Sequence, residues 1–489
     1  VLRTPVAVLL AALLVLGLAA APAGAKGRTV KGELARLQDA GELLPDTAAR
    51  YRDAYDAARR TARRLTGFRR TQLRAVLANV EAAAAGGRFT PSRLRGEMLT
   101  LQRNRAWWAA KPLPYAGQRT SFAGSQLVWQ FYPGQGWQIQ WLGTFGKANA
   151  LWSIRTRDDD LRALLDEALG LATQRAGGLA FEYLFRFDGG RPPWVSGLAQ
   201  GTALSAFSRA AVRLGDAHFF DAARGALGIF RTAPPSGVRV PTAAGAHYLQ
   251  YSFARRLRIA NGFAQALNGL HDFAALANDD EGRALFAAGE AELRVELPAF
   301  DTGAWSLYSR VGADGPESDL GYHKVLRDFL RGLCDRLTAD RDRTGSATGG
   351  TPAGGAPAAG VPDPKPYCET AERFTADLHT KPKLAFADDL PTLRAEKTAR
   401  VPFTLDKVST VTMSVLRRGR VVLVRTARLG RGRHVVELRP SQGGPLLVRV
   451  NATDLAGNTG GAQATVHVRP APEKHRKPHR PAAKKAPAD

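Results

Sequence analysis

The sequence predicts a multidomain, mainly α protein: an α/α toroid (incomplete barrel) with a β-hairpin, followed by a C-terminal all-β, immunoglobulin-like sandwich. Three observations predict it. Between residues 160 and 339, apolar residues recur at helical spacing in successive segments separated by Gly- and Pro-rich turns. Paired helices with such connections build a toroid in which inner helices line a cleft and outer helices cover them. The stretch 125–152 contains LVWQFYPGQGWQIQWLG, where aromatic and β-branched residues nearly alternate around Pro133-Gly134, as in a hairpin. From about residue 383 to 469 the period becomes two, in VPFTL, VTMSVL, RVVLVRTA, HVVELRP, LLVRVNATD and QATVHVR. Short alternating strands with turn residues between them indicate a sandwich.

A chain of 489 residues exceeds one ordinary core. Its 44% hydrophobic and 23% charged content is that of a globular protein. Residues 1–25 read as a signal peptide: Arg3, an apolar run from Val6 to Ala21, then Ala23-Gly24-Ala25 before Lys26. A membrane anchor is the alternative, but the run falls short of the roughly 20 residues a spanning helix needs. The expected location is therefore secreted or cell envelope. Residues 26–105 form an N-terminal helical segment. Leu34, Leu37, Leu43 and Leu44, then Leu65, Leu73, Val76 and Val80, suggest two amphipathic helices, with Pro45 and Asp46 starting the second.

The toroid occupies 106–342, with helical patterns at 160–176, 195–214, 219–230, 259–277, 282–293 and 320–339. Residues 343–366 are a Gly/Ala/Thr/Pro-rich linker that cannot bury enough apolar area to order itself. Residues 367–380 supply the toroid's terminal helix, 381–469 the sandwich, and 470–489 a basic, disordered tail. Cys334 and Cys368 flank the linker and are expected to pair, two separate buried thiols being the alternative. No CxxC pair is present, so no metal site is expected.

The net charge of +25 draws polyanions. Nucleic acid, anionic lipid and acidic polysaccharide all qualify, and charge does not choose among them. The export signal argues against nucleic acid and leaves anionic lipid and acidic polysaccharide open. The basic tail and the sandwich are routes to cell-envelope association, with a plain solubilising tail as the alternative.

Four blocks carry the sharpest functional signal: WVSGLAQG at 194–201, YSFARRLRIANGF at 251–263, DTGAWSLY at 301–308 and GYH at 321–323. In this order and spacing they resemble the C-terminal catalytic domain of D-glucuronyl C5-epimerases. Those enzymes invert C5 of glucuronic acid within a glycosaminoglycan-type chain. The resemblance covers about 115–342 and places the hairpin at the mouth of the catalytic barrel. The ending VNATDLAGNTG resembles bacterial immunoglobulin-like modules of exported enzymes. Animal members of the epimerase family carry a β-rich domain ahead of the toroid, where this chain has helices.

The reaction implied by the resemblance needs the substrate carboxylate neutralised, one group to take the C5 proton, and another to return a proton on the opposite face. Tyrosine serves if nearby cations depress its pKa from about 10. By resemblance Tyr322 is assigned as acid/base, with Tyr251 and Tyr308 as catalytic partners. Gln250, Gln200, His323, Arg255 and Asn261 are the substrate-binding candidates. Each has a plainer alternative: core tyrosines with satisfied hydroxyls, a helix-capping Gln200, an Asn261 that fixes a helix start, and a solvated face for Arg255, Arg256 and Arg258. His247 and His323 are hydrogen-bonded core or cleft histidines. Asp301 and Thr302 make a turn.

The chain departs from the family at Gln250, where the family has a glutamate that is a candidate base; Glu182 is a conceivable replacement. The expected function is an exported, cofactor-independent C5-epimerase of polysaccharide uronates, an isomerase. The alternatives are a non-catalytic cell-envelope glycan-binding protein and a polysaccharide lyase.

Overall fold

The computed structural model describes residues 28–347 and 360–471. The expected signal peptide, the middle of the linker and nearly all of the basic tail lie outside the described residues.

Four helices lead the chain: α1 (Val30–Asp39), α2 (Pro45–Arg64), α3 (Gly67–Ala85) and α4 (Pro91–Ala110). Periodicity alone suggested two. The additional breaks sit where the backbone is forced out of the helix, at Gly67 and Gly87 with φ of +52° and +61°. Thr90 then caps α4, its hydroxyl accepting from Arg93 N at 3.3 Å. Leu34, Leu73, Val80, Leu94 and Leu101 are buried between these helices.

The hairpin pairs Trp129–Tyr132 antiparallel with Gly136–Ile139, and Arg119–Thr120 adds a third strand. The hairpin ends sooner than the sequence suggested, because Trp141–Trp152 is a helix, α5. Its aromatic start and its Gly143 and Gly146 read as strand and turn, but Gln140 caps it, the side-chain oxygen accepting from Gly143 N at 3.4 Å.

Beyond it come α6 (Asp158–Gly170), α7 (Gly197–Leu214), α8 (His218–Ala226), α9 (Gly228–Arg231), α10 (Ala260–Leu276), α11 (Asp280–Glu296), α12 (Leu320–Ala347) and α13 (Lys365–Asp377). They form two layers. Helices α5, α7, α10 and α12 pack side by side in that order, and α6, α8, α11 and α13 each cover one of them. The inner helices α7 and α10 are buried along most of their length. They approach closely at two glycines: a Cβ on Gly201 would stand 2.5 Å from Ala266 Cα, and one on Gly269 would stand 1.9 Å from Gly201 O.

Cys334 on α12 and Cys368 on α13 form a disulfide across 34 residues. Closing a loop of that length contributes about 3–4 kcal/mol by constraining the unfolded chain. A Cys334→Ser/Cys368→Ser variant is therefore expected to unfold at lower denaturant; an unchanged midpoint in an equilibrium melt would contradict this.

The C-terminal region is β-rich. A three-stranded sheet (Leu384–Phe386, Ala399–Leu405, Gly432–Leu438) packs on a five-stranded one (Leu393–Arg394, Thr459–Arg469, Gly444–Asp454, Ser409–Arg417, Arg420–Leu429). Alternate residues such as Val401, Phe403, Val411, Val448, Val450 and Val466 fill the space between them.

This region is anchored to the helices beside the DTG block. Glu317 accepts hydrogen bonds from Val408 N at 2.9 Å and Arg431 N at 2.7 Å. Trp305, Leu378 and Val408 form a small apolar cluster at the junction. Lys407, fully buried there, pairs with Asp454 at 2.8 Å and donates to the carbonyls of Asp377 and Thr380.

Candidate active site

Helices α5, α7, α10 and α12 surround a cavity of about 940 Å³. Gln140, Ser196, Asn261 and Tyr322, at or beside the N-terminal ends of these helices, line its mouth. Four helix N-termini thus converge on one end, each carrying partial positive charge toward an anion. Arg209 and Arg336 line the other end and share Asp272, at 2.9 Å from Arg209 and 2.7 and 3.0 Å from Arg336. Tyr322 and Arg336 both lie on α12 and both line the cavity, which is therefore about 21 Å deep along the helix axis.

The tyrosines gather at the mouth. Tyr251 and Tyr322 line the cavity; the ring of Tyr308 lies 4.5 Å from that of Tyr322, and its hydroxyl interacts with those of both other tyrosines. Tyr251 receives the amide of Gln250, Nε2 to Oη 2.8 Å. Trp194, from the first block, packs edge-on against Tyr251 at 5.7 Å, and Phe253 stacks on its other side at 5.4 Å. Burial pushes the Tyr251 phenol above its ordinary range, opposed by the donors Gln250 and Tyr308. Burial and the neighbouring tyrosines push Tyr308 higher still. Cations were expected to depress these groups. The buried aromatic setting dominates instead, and the phenols stay protonated at neutral pH.

Cations line the cavity farther from the tyrosines. Among the described residues, Arg119, Lys147, Arg209 and Arg336 share the cavity lining with a single carboxylate, Asp328, which itself pairs with Arg327 at 2.7 Å. Among the described residues the Lys147 ammonium donates only to Gln126, at 2.8 Å to both its carbonyl and its amide oxygen. Burial lowers its pKa. A cation held by neutral acceptors in a half-buried wall is placed to receive a carboxylate. Tyr132, pushed up to about 12 by burial, completes the rim, accepting from Gln140 at 3.0 Å.

The structure brings Tyr251, Tyr322, Gln250 and Asn261 to the cavity wall, with Tyr308 immediately behind. It places Gln200, His323 and Arg255 elsewhere. Gln200 is fully buried inside α7, donating to Phe181 O at 3.2 Å. Arg255 is exposed on the loop before α10. His323 points away from the cavity: Nε2 donates to Phe374 O at 2.9 Å, Nδ1 lies 2.8 Å from Ser306 Oγ, and the ring stacks on Trp305 at 3.8 Å. Burial brings its pKa down to about 4, so it is a neutral strut.

Glu182 does not take the place of the family glutamate. Its carboxylate is buried outside the cavity lining, and burial alone would raise its pKa. Arg93 at 2.7 Å and Arg175 at 2.7 Å outweigh that and hold it ionised. Gln250 itself packs against Gly262, where a Cβ would stand 2.4 Å from its Oε1. Sequence reasoning missed the four lining cations and Tyr132. Of these only Tyr132 had a signal, as part of the hairpin placed at the mouth.

Residues 176–341, which contain all four blocks, match the family model described as D-glucuronyl C5-epimerase C-terminus. The resemblance to this epimerase family holds over that segment. A D-glucuronyl C5-epimerase from Caenorhabditis elegans is 32% identical over 130 residues, 24% of this chain and 21% of that protein. The match thus spans about a fifth of that epimerase's length. Solved structures with similarity are a GH76 alpha-mannanase from Bacteroides thetaiotaomicron (12% identity, TM-score 0.34, 53% of this chain and 65% of that one) and an unsaturated glucuronyl hydrolase specific for heparin (12%, 0.31, 54% and 79%). The epimerase-like segment contains α7, α10 and most of α12, and hence Tyr251, Tyr308 and Tyr322. The N-terminal helices, α5 with Lys147, and the β-rich region lie outside it.

Proposed function

We propose that this chain is an exported D-glucuronyl C5-epimerase-like enzyme of an acidic polysaccharide, built as an α/α toroid with a C-terminal immunoglobulin-like module. The carrying observation is the Tyr251–Tyr308–Tyr322 cluster at the mouth of a cation-lined cavity, inside the segment that matches the epimerase family.

The chemistry follows from who donates to whom. Tyr251 Oη accepts from the Gln250 amide and is within reach of Tyr308, so it is the phenol oxygen best supported as a phenolate. As phenolate it takes the C5 proton while the helix N-termini at the mouth stabilise the charge developing on the substrate carboxylate, and the cations farther in attract the rest of the polyanion. Tyr322, half-exposed at 42% on the α12 side, donates its proton to C5 from the opposite face. Tyr308 touches both hydroxyls, which lets the proton gained by Tyr251 return to Tyr322 and reset the site. In this scheme the Gln250 amide supports a tyrosinate base where the family has a carboxylate.

A pH dependence follows. Burial raises Tyr251 and Tyr308, so below their pKa the phenolate fraction grows about tenfold per pH unit. The exchange rate is expected to climb across about pH 6 to 9 without a plateau; an optimum at the acid end would contradict a phenolate base.

The reading is tested by incubating the protein with heparosan and following the polymer by proton NMR. C5-inverted uronate signals support it, whereas unsaturated ends seen by ultraviolet absorbance would make the protein a lyase. Gln250, in place of the family glutamate, favours a second reading, a non-catalytic cell-envelope glycan binder, which predicts binding with no change in the polymer.

A further inference from the structure

The cavity has a neighbour across Arg209. Beyond Arg209 a second pocket of about 770 Å³ opens at the C-terminal ends of α5 and α7. Arg209 lines both spaces, and the walls run on along the same two helices: Asn149 and Ala150 give way to Trp152 and Ser153, and Arg209 to Val212 and Arg213.

Helix C-termini carry partial negative charge and would repel an anion, yet this pocket is built basic. Arg213 offsets that charge by donating to the Trp152 carbonyl and pairing with Asp158 at 2.5 Å. Arg209 is neutralised by Asp272 and lies 4.9 Å over the Trp152 ring. Arg155 remains: it is exposed, lines the pocket and has no side-chain ion pair or hydrogen bond among the described residues. Beside it Trp152, Val212 and Leu276 are exposed at 36%, 58% and 42%, an apolar surface on which Arg209 lies over the Trp152 ring.

An aromatic and aliphatic floor next to an unpaired guanidinium suits a sugar ring that bears a carboxylate. We infer that this pocket is a distal subsite for a uronate of the same polymer chain whose reacting residue lies at the tyrosines. The inference rests on the acidic-polysaccharide reading above and adds to it the direction the bound chain takes, through the helical ring toward Trp152.

The test is the length dependence of binding, measured by calorimetry with a heparosan tetrasaccharide and a decasaccharide. The unsubstituted protein is expected to bind the longer probe more tightly by about tenfold, the worth of one charge-assisted contact. Arg155→Glu and Trp152→Ala should each erase that advantage. An advantage that persists in both variants, or none in the unsubstituted protein, overturns the subsite. A length advantage that depends on Arg155, without any proton exchange at C5, would uphold the subsite while removing the catalytic reading.

Discussion

Tyr251→Phe and Tyr322→Phe are each expected to reduce proton exchange at the uronate C5 by at least ~10²-fold, the usual contribution of a positioned acid or base. Binding of the polymer should change little, because the cations that attract it stand on α5, α7, α12 and the strand before the hairpin. The two variants should differ in kind. Removing the Tyr251 hydroxyl leaves the Gln250 Nε2 without its acceptor in a buried setting, at a cost of about 1–3 kcal/mol of stability. Tyr322 is more exposed, and its hydroxyl can be removed with little structural consequence. Exchange and binding measured side by side decide the matter. Exchange that survives in Tyr251→Phe would remove the phenolate base from the account.

Lys407→Ala is expected to destabilise the junction by about 3–5 kcal/mol, because it leaves the buried Asp454 carboxylate without its counter-charge. Asp454 keeps its hydrogen bonds from Ala456 N and Asn458 N, at 2.9 and 2.8 Å, but these do not neutralise it. The effect should reach the active site along a short path. The Lys407 ammonium sits 5.5 Å over the Trp305 ring, Trp305 stacks on His323, and His323 adjoins Tyr322. Glu317 ties the same loop to the β-rich region. Denaturant melts of Lys407→Ala and of Lys407→Met/Asp454→Asn test this. The double variant should recover part of the loss, because it removes the stranded charge. Equal loss in both would mean that the pair contributes through packing alone.

The inner helices α7 and α10 were legible because each is apolar over several turns, and Gly215 closes α7. Helix α5 was not, since Trp141, Phe145 and Trp152 favour strands when read singly, and only burial against α7 selects the helix. The clustered tyrosines were legible because sequence blocks carry them. The cations were not: Arg119, Lys147, Arg209 and Arg336 come from four separate elements and meet only once the helices have packed. Residue type misled at His323 and Gln200, whose polar atoms face the backbone of neighbouring segments, not the cavity. Gln250 looked like the loss of a base. In the fold its amide donates to the Tyr251 hydroxyl.

The central claim is that these tyrosines exchange a carbon-bound proton without a carboxylate base, and solvent exchange tests it most directly. The protein is incubated with heparosan in D2O, and deuterium at the uronate C5 is measured by NMR. The account predicts incorporation, even where net inversion is small. Bound polymer with no deuterium at C5 would contradict it and leave a glycan-binding protein.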